Sequence, residues 1–484
     1  MSGEPMRPTF HFTPARNWMN DPNGLVWHDG EYHLFFQYNP LGNGWGNMSW
    51  GHAVSRDLTT WEELPVALEH TPTEAVYSGS VVVDRDNTSG LGSEGAPAMV
   101  AVYTSHDLLT GHQGQSVAWS TDKGRTWTRH PKNPLLEIGS TDFRDPKVSW
   151  YADGGYWVMA VALSAEHVVR LYRSDDLLAW SHLSDFGPAG STDGVWECPD
   201  LFSLSVDGGP GLARWVLVVS VQEGAPAGGS GMQYFVGDFD GTTFTADPAH
   251  GTTLGGGASW VDHGADYYAA VSFNDDPHDR RLLVGWMSNW DYGREVPARP
   301  YRGAMSAPRT YELRTHRGRL VLVQRPVVEG LPAPVHRATA QDLPDGVHPL
   351  PDECRARSAV ITAELDPGTA SRCGLLVRVG TGECTVIGYD AAKRALYVDR
   401  TASGDTDFHP GFGAVHRAPL DLDAGEPLVL EIHLDTTSVE VYADGGRVVI
   451  TDQVFPSPGS DAIALFAEGG TAHLHSLSAT TLGR

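Results

Sequence analysis

A repeated pattern of short strands constrains the fold of this chain more than any other feature of its sequence. Five stretches each start at a polar residue, run through an apolar segment and a turn rich in Asp and Gly, and end in a second apolar segment. They open at Asp21, Ser78, Asp145, Glu197 and Asp266. Short apolar runs separated by turn residues are typical of β-strands, and long helical periodicity is hard to find. The pattern therefore predicts a mostly β chain built from repeats.

A second marker follows the strands in several of these units. "SRDLTTW", "STDKGRTW" and "RSDDLLAW" end at Trp61, Trp127 and Trp180, and "GDFDGTTF", a weaker copy, ends at Phe244. The spacings of 66, 53 and 64 residues exceed a hairpin and suit a four-stranded sheet with loops. All-β units repeated on this scale indicate a β-propeller, and five units predict five blades. The alternative is a β-sandwich whose internal similarity is coincidental.

The last third of the chain has a different pattern. Residues 327–346, "VVEGLPAPVHRATAQDLPDG", are rich in Pro, Ala and polar residues, as in a linker. Beyond them, runs such as "CGLLVRV", "LVLEIHL" and "SVEVYAD" alternate with turns, which is a β-sandwich signature. We therefore expect a propeller in residues 1–335, a linker in 336–346 and a β-sandwich in 347–484.

Composition narrows the classes of partner. The 484 residues include 60 acidic and 34 basic side chains, a formal net charge of −26, which argues against a nucleic-acid binder. No apolar run is long enough for a membrane span, and "MSGEPMRPTF" lacks the apolar core of a signal peptide. We expect a soluble protein with no nucleic-acid or membrane partner, cytoplasmic as written or secreted if a leader has been removed; the oligomeric state stays open.

The cysteines and histidines give no sign of a metal or cofactor site. Cys198, Cys354, Cys373 and Cys384 form no CxxC pair and no cluster with histidine, so neither zinc nor another cofactor is expected. Three of them lie near the C-terminus, where one disulfide is possible but not required.

Three acids occupy equivalent places in the repeat. Asp21, Asp145 and Glu197 each stand at the start of a predicted innermost strand, so a propeller would bring them to one mouth of its central funnel. Three carboxylates in one pocket repel each other and should raise the pKa of one of them. Asp21, on a turn fixed by Pro22, is the expected ionised member, and Glu197, which follows Trp196 in an apolar strand, is the better candidate for the raised pKa. A pair of carboxyl groups, one ionised and one protonated, is what glycoside cleavage needs.

The segments around these acids resemble a known family. "WMNDPNG", "FRDP" and "WECPDLF" are similar to the three signature motifs of glycoside hydrolase family 32, which contains invertases, exo-inulinases and levanases. The resemblance continues through "FFQYNP", "YSGS", "GWMSNWDYG" and "SVEVYADGGRVVITDQVFP", so it covers nearly the whole chain. It implies a five-bladed propeller that carries the site and a β-sandwich appended to it.

The resemblance also implies roles for individual residues. Asp21 would be the nucleophile, Glu197 the general acid and then the base, and Asp145 a carboxylate that stabilises the transition state. The residues implied to contact the sugar are Asn20, Gln37, Trp45, Trp50, Tyr77, Ser78, Arg144, Cys198 and Trp290.

The resulting prediction is a retaining hydrolase that releases terminal, non-reducing β-D-fructofuranosyl residues. "NPLGNGWGNMSWGHA" is more similar to the exo-inulinase and levanase branch, so fructan (levan or inulin) is favoured over sucrose as substrate. Linkage preference and exo or endo action stay open. A fructosyltransferase that uses the same three acids is one alternative. A fructan-binding protein without catalysis is the other, and the presence of all three acids argues against it.

Overall fold

The chain is almost entirely β in structure. The computed structural model describes residues 6–93, 95–209, 211–250, 257–423 and 425–482. Within these ranges the helical elements are three single 3₁₀ turns, at Ser164–Glu166, Asp352–Cys354 and Asp444–Gly446. In the same ranges no helix has the length and apolar character needed to cross a membrane.

Five sheets make up the first two thirds of the chain. The strands of the first are β1 (Asn17–His28), β2 (Glu31–Asn39), β3 (Ser49–Ser55) and β4 (Trp61–Leu68). The second contains β5 (Glu74–Asp84), β6 (Ala98–Asp107), β7 (Gln113–Ser120), β8 (Thr128–Arg129) and β9 (Leu136–Glu137). The third contains β10 (Phe143–Tyr151), β11 (Tyr156–Leu163), β12 (Val168–Ser174) and β13 (Ser181–Phe186). The fourth contains β14 (Trp196–Ser205), β15 (Ala213–Val221), β16 (Gly231–Phe239), β17 (Phe244–Ala246) and β18 (Ser259–Trp260). The fifth contains β19 (Tyr268–Ser272), β20 (Leu282–Trp286), β22 (Arg309–His316) and β23 (Arg319–Pro326), while β21 (Tyr301–Arg302) pairs in parallel with β1.

The five sheets form a closed ring. Their first strands contact one another in the order β1, β5, β10, β14 and β19, and β19 contacts β1 again. In each sheet the following strands run antiparallel and outward from the ring axis. This is the expected propeller, and it places the starts of the five innermost strands around one mouth.

The repeated sequence marker forms the same turn in three sheets. It connects β3 to β4, β7 to β8 and β12 to β13. In each copy a serine hydroxyl accepts a hydrogen bond from the backbone N–H of the aspartate two residues later, at 3.2, 3.3 and 3.2 Å for Asp57, Asp122 and Asp176. Such side-chain turns end a strand without help from a neighbouring strand, which explains why the motif recurs.

The last third of the chain folds as two six-stranded sheets. One has the order β24 (His336–Leu343), β35 (Ala472–Thr481), β26 (Ala359–Asp366), β31 (Leu428–Asp435), β32 (Ser438–Ala443) and β33 (Val448–Gln453). The other has the order β25 (Gly346–Pro349), β34 (Ala462–Glu468), β27 (Arg372–Gly380), β28 (Glu383–Asp390), β29 (Ala395–Asp399) and β30 (Val415–Pro419). Buried Leu, Ile, Val and Ala side chains from both sheets form one core. This is the expected β-sandwich.

The prediction of a linker in residues 336–346 is wrong, because most of these residues form strands. Residues 336–346 are not a connection, because β24 pairs with β35 through seven of its eight residues and β25 begins at Gly346. The connection between the domains is 327–335, which separates β23 from β24. β24 is an edge strand with mostly exposed side chains, so its sequence "HRATAQDL" lacks the apolar alternation that identifies a half-buried strand.

The cysteines near the C-terminus are free thiols. Cys354 and Cys373 are buried and Cys384 is partly buried, and the possible disulfide among them is not formed. The apolar core of the sandwich therefore holds the domain together.

A buried network of charged groups joins the two domains. Arg309 of the propeller lies 2.9 Å from Asp262 and 2.6 Å from Glu440 of the sandwich. His11, from the N-terminal segment, contacts Glu440 at 3.0 Å and Asp435 at 2.8 Å. Every one of these side chains is fully buried or nearly so, so each charge relies on its ionic partner, and Glu440 and Asp435 find theirs across the interface.

Candidate active site

The three predicted acids converge on one pocket at a mouth of the propeller. Asp21, Asp145 and Glu197 line a cavity of about 310 Å³. Seven other residues predicted to contact the sugar line the same cavity, namely Asn20, Gln37, Trp45, Tyr77, Ser78, Arg144 and Trp290.

A bulge in each innermost strand directs side chains into the pocket. The pairing register shifts next to Asp21 in β1, next to Ser78 in β5 and next to Asp145 in β10. The same shift occurs at Cys198 in β14 and at Ala269 in β19. Asp145, Cys198 and Ala269 have φ angles of 65°, 47° and 54°, in the left-handed region that L-residues adopt rarely. Five bulges at equivalent positions turn the strand starts toward the ring axis.

Asp21 is held by donors on both carboxylate oxygens. The Asn20 side-chain amide donates to Oδ1 at 3.0 Å, and the Ser78 hydroxyl donates to Oδ2 at 2.8 Å. Asn20 is fixed in turn, because its Oδ1 accepts the indole N–H of Trp18 at 2.7 Å. The carboxylate therefore has a defined orientation before any ligand arrives.

Cys198 lies behind the carboxylates and connects two of them. Its Sγ is 3.6 Å from Asp21 Oδ2 and 3.7 Å from Asp145 Oδ2, and its backbone N–H donates to Asp145 Oδ2 at 3.1 Å. The thiol is buried, and burial together with the Asp145 and Asp21 charges raises its pKa well above the usual value. Cys198 therefore supports the acids from the core side as a neutral thiol. It was predicted to contact the sugar, but it is not among the residues that line the cavity.

Glu197 is fixed by one cation and one phenol. Arg144 Nε donates to Oε1 at 3.1 Å, and the Tyr268 hydroxyl donates to Oε2 at 2.6 Å. Burial and the Glu197 charge raise the pKa of Tyr268 well above its usual value, so the phenol keeps its proton and donates it. Arg144 also contacts Asp142 at 3.3 Å.

Crowding of acids raises carboxyl pKa values in the pocket. Burial, then the Glu197 and Asp21 charges, raises the pKa of Asp145 to about 7 although Arg144 opposes the shift. Burial and the Glu197 charge also raise the pKa of Asp21. For Arg144 the nearby carboxylates outweigh burial and raise the pKa above its usual value. The upward shifts fall on Asp145, which was not the acid expected to show one, and on Asp21, which was the expected ionised member, because both carboxyls are buried next to other acids.

Aromatic side chains form one wall of the pocket. The rings of Trp45 and Tyr77 lie 6.4 Å apart, and Tyr77 stacks on His106 at 4.8 Å. Trp290 packs against Trp286 with ring centroids 4.9 Å apart. The Trp290 indole N–H is buried and has no acceptor among the residues that the structure describes, so the ring faces of Trp290 and not its nitrogen are what this wall offers.

Trp50, predicted to contact the sugar, is placed elsewhere. It is fully buried between sheets, where it packs against Phe35 and Tyr103. Its indole N–H donates to the Tyr77 carbonyl at 2.9 Å. The prediction is wrong because Trp50 lies on β3, two strands out from the ring axis, where side chains fill the space between neighbouring sheets.

Four residues at the site were not predicted. Gln113, Gln222 and Arg294 line the cavity, and Tyr268 binds Glu197. The repeat could have identified Tyr268. Its fifth unit was taken to open at Asp266, whereas β19 starts two residues later, at Tyr268. Arg294 lies in a loop that is not part of the sequence repeat, so the repeat could not predict its position. The structure places its guanidinium 5.6 Å from the ring of Trp45 and 5.8 Å from that of Trp290.

Comparison with known proteins agrees with this geometry. The family model described as "Glycosyl hydrolases family 32 N-terminal domain" matches residues 11–326, and "Glycosyl hydrolases family 32 C terminal" matches residues 335–481. A levanase from Bacillus subtilis (strain 168) is 46% identical over 98% of this chain and 70% of the levanase. Invertase 2 of Saccharomyces cerevisiae is 42% identical over 64% of this chain and 58% of the invertase.

A solved structure extends the similarity to the whole architecture. The crystal structure of exo-inulinase from Aspergillus awamori superimposes with a TM-score of 0.95 and 38% identity, covering 100% of this chain and 99% of the exo-inulinase. The similarity therefore extends over both domains. The chain belongs to glycoside hydrolase family 32.

Proposed function

We propose that this chain is a β-fructofuranosidase that releases terminal fructosyl units with retention, using Asp21 as nucleophile and Glu197 as acid and base. The levanase, exo-inulinase and invertase relatives support hydrolysis of fructan or sucrose. The observation that carries the assignment of roles is the convergence of Asp21, Asp145 and Glu197 on one cavity of about 310 Å³.

The first step forms a covalent fructosyl-enzyme. The Asp21 carboxylate attacks the anomeric C2 of the terminal fructosyl unit while Glu197 gives its proton to the glycosidic oxygen, so that the C2–O bond breaks as the ester bond forms. This step needs Asp21 ionised and Glu197 protonated. Burial and the Glu197 charge together raise the pKa of Asp21, and a proton on Glu197 removes the second of these causes, so the two carboxyls favour opposite protonation states.

The second step returns the enzyme to its starting state. Glu197, now ionised, takes a proton from a water molecule whose oxygen attacks C2, and the Asp21 ester bond breaks to release fructose. Arg144 and Tyr268 keep the Glu197 carboxylate in one place through both steps, because each binds a different oxygen of it.

Asp145 stabilises the charge that develops on the sugar. The transition state resembles an oxocarbenium ion, and a buried carboxylate that does not react lowers its energy most where water is excluded. The backbone of Asp145 is fixed, since its N–H donates to Thr104 Oγ1 at 2.9 Å and its side chain accepts from Cys198 N–H. We assign it to binding of the fructosyl ring.

The shape of the pocket favours removal of chain ends. Below the acids the ring axis is filled by buried Lys147, which lies 3.5 Å from Asp200 and donates to the Ser272 carbonyl. A pocket closed at its base accepts one terminal sugar and cannot thread a polymer. Together with the levanase and exo-inulinase relatives, this favours exo action on fructan, with sucrose as a second substrate.

A product time course tests the proposal. Wild-type protein is incubated with levan, inulin and sucrose, and products are resolved by chromatography. We expect free fructose from the earliest time point, and Asp21→Asn should lower kcat by about 10⁴-fold or more. Asp153→Asn, the same substitution on an exposed turn, is the matched control and should be unchanged. Early oligosaccharides would instead support a transferase or endo enzyme, and no product from folded protein would support the binding alternative.

A further inference from the structure

A second cavity lies at the opposite mouth of the propeller. It measures about 280 Å³ and is lined by the far ends of β5 and β10 and by the segment after β19. Trp150, in its wall, is five residues beyond Asp145 on the same strand, which corresponds to roughly 16 Å along an extended chain. We call this the distal cavity.

The distal cavity is separated from the catalytic pocket by a layer of paired polar groups, of which Asn274 is partly buried and Lys147 and Asp200 are buried. The Asn274 amide donates to the carbonyls of Val81 and Val148, at 2.8 and 3.1 Å, and so joins β5 to β10. Lys147 and Asp200 fill the axis between this level and the acids. A ligand in the distal cavity is therefore independent of the one in the active site.

Two tryptophans give the distal cavity a firm aromatic wall. Trp150 is 42% exposed and meets Trp157 in an edge-to-face contact, with ring centroids 5.0 Å apart. Trp157 is buried, and its indole N–H donates to Thr88 Oγ1 at 3.0 Å. An exposed indole held by a buried one offers a rigid apolar face at little entropic cost, and such a face fits the C–H side of a sugar ring.

Three of the charged groups around this wall, Asp84, Arg85 and Asp275, already have partners. The Asp84 carboxylate accepts hydrogen bonds from the backbone N–H and the hydroxyl of both Thr88 and Ser89, at 2.6 to 3.0 Å. Arg85 lies 3.5 Å from Asp275, and both side chains are partly exposed. Asp86 is a further acid in the lining, so an anionic ligand would be repelled. A paired guanidinium and carboxylate at the rim can instead donate to and accept from neighbouring hydroxyls.

We propose that the distal cavity is a second carbohydrate-binding site, which holds one or two sugar units of a neutral fructan chain against Trp150. Its volume is close to that of the catalytic pocket, about 280 against 310 Å³, so it has room for a ligand of the same class. The choice of fructan rests on the proposed function. The site would keep the enzyme on a polymer while the opposite mouth removes chain ends, so it would affect polymers and leave sucrose unaffected.

Binding to polymer without turnover tests the site. Trp150→Ala and Trp150→Phe are made in the Asp21→Asn background, and their retardation is measured by electrophoresis in gels that contain levan or inulin. We expect Trp150→Ala to weaken binding threefold or more, and Trp150→Phe to keep most of it because the aromatic face remains. With Asp21 intact, Trp150→Ala should raise KM for the polymer by a similar factor and leave kcat and KM for sucrose unchanged.

Three results would overturn the distal site. One is equal retardation of Trp150→Ala and its parent in both gels. Another is a loss of sucrose turnover in Trp150→Ala as large as its loss of polymer turnover, which would show a general structural effect of the substitution. The third is a change of oligomeric state in Trp150→Ala, which would make this surface a contact between copies of the chain. Retardation that depends on Trp150, together with wild-type protein that hydrolyses neither fructan nor sucrose, would support the distal site and contradict the catalytic proposal, so the two proposals are separable.

Discussion

At the scale of single residues, the catalytic pocket brings together buried acids whose ionisation lowers the stability of the fold. Asp21 and Asp145 are buried acids whose pKa values are raised by burial and by the neighbouring Glu197 charge. A raised pKa means that ionising the group in the folded state costs free energy. The chain tolerates this cost at the place where ionised carboxylates are needed for chemistry, a trade-off between stability and activity.

Replacing Asp145 should show this cost as a pH dependence of stability. The folded state binds the Asp145 proton more tightly than the unfolded chain does, so the stability from this proton is present below about pH 4 and lost as pH rises through about 7. Asp145→Asn removes that loss. We expect the variant to gain stability relative to wild type as pH rises from 4 to 7, by up to roughly 4 kcal/mol, while activity falls sharply.

Urea unfolding of both proteins at pH 4, 5.5 and 7 measures the difference. A stability difference that does not change with pH would contradict the burial of an ionisable Asp145 in this pocket. Asp153→Asn, on an exposed turn, serves as the control and should show no such trend.

The hydrogen bond from Tyr268 to Glu197 gives a separate prediction. Removing the hydroxyl in Tyr268→Phe withdraws one donor from the ionised form of Glu197. We expect kcat/KM to fall about 10-fold or more, as for loss of a hydrogen bond to a charged group. An unchanged kcat/KM in folded Tyr268→Phe would contradict a role of the hydroxyl in holding Glu197 and would leave Tyr268 a part of the packing only.

At the scale of secondary structure, the sequence repeat predicted much of the site, but it did not predict the features that differ from the repeat. The equivalent openings at Asp21, Asp145 and Glu197 were enough to predict convergence, because blades of a propeller are related by rotation. The bulges that aim these side chains leave no clear pattern in the sequence. Trp50 was misplaced because an aromatic residue in a family motif can serve the core as well as the ligand. β24 was missed because edge strands need no apolar face.

The loop that carries Trp290 and Arg294 is anchored by the sandwich domain. Arg400 is fully buried, lies 2.7 Å from Asp266 and donates to the Tyr292 hydroxyl at 2.9 Å. Tyr292 also donates to Asp266 at 2.7 Å, two residues before Tyr268 on the chain. One side chain of the sandwich thus holds both the loop in the pocket wall and the segment that leads to β19.

Arg400→Met should therefore affect substrate binding as well as stability. It leaves buried Asp266 without its cation, which costs about 3–5 kcal/mol for a broken buried pair. In the fraction that folds, we expect KM for sucrose to rise severalfold with a smaller change in kcat, because the Trp290 wall loosens while the acids stay in place. Arg394→Met, which removes an exposed arginine of the same domain, should change neither property. An unchanged KM in Arg400→Met would contradict the anchoring role.

At the scale of the whole molecule, the two domains depend on each other through buried charge. Arg309, Asp262 and Asp266 of the propeller are buried, and two of their partners, Glu440 and Arg400, belong to the sandwich. Burial of Glu440 is outweighed by Arg309 and His11, which lower its pKa to about 2. Removal of the sandwich would leave Asp266 without its cation, and removal of the propeller would leave Glu440 without Arg309 and His11.

A chain that ends at residue 335 should consequently be insoluble or unfolded. The matched control keeps both domains and introduces a protease site in the exposed 330–333 segment of the connection. After cleavage we expect the two fragments to co-elute in size-exclusion chromatography with full activity on sucrose, because the interface holds them. A soluble, active propeller without the sandwich would refute this mutual dependence.

The stereochemistry of transfer to methanol tests the central claim most directly. Wild-type enzyme acting on sucrose or levan in aqueous methanol will pass part of its covalent intermediate to methanol instead of water. If Asp21 forms the intermediate and Glu197 activates the acceptor from the opposite side, two inversions give retention, and NMR spectroscopy will show methyl β-D-fructofuranoside as the product. Formation of the α anomer would show single displacement, and it would contradict the assignment of Asp21 as nucleophile.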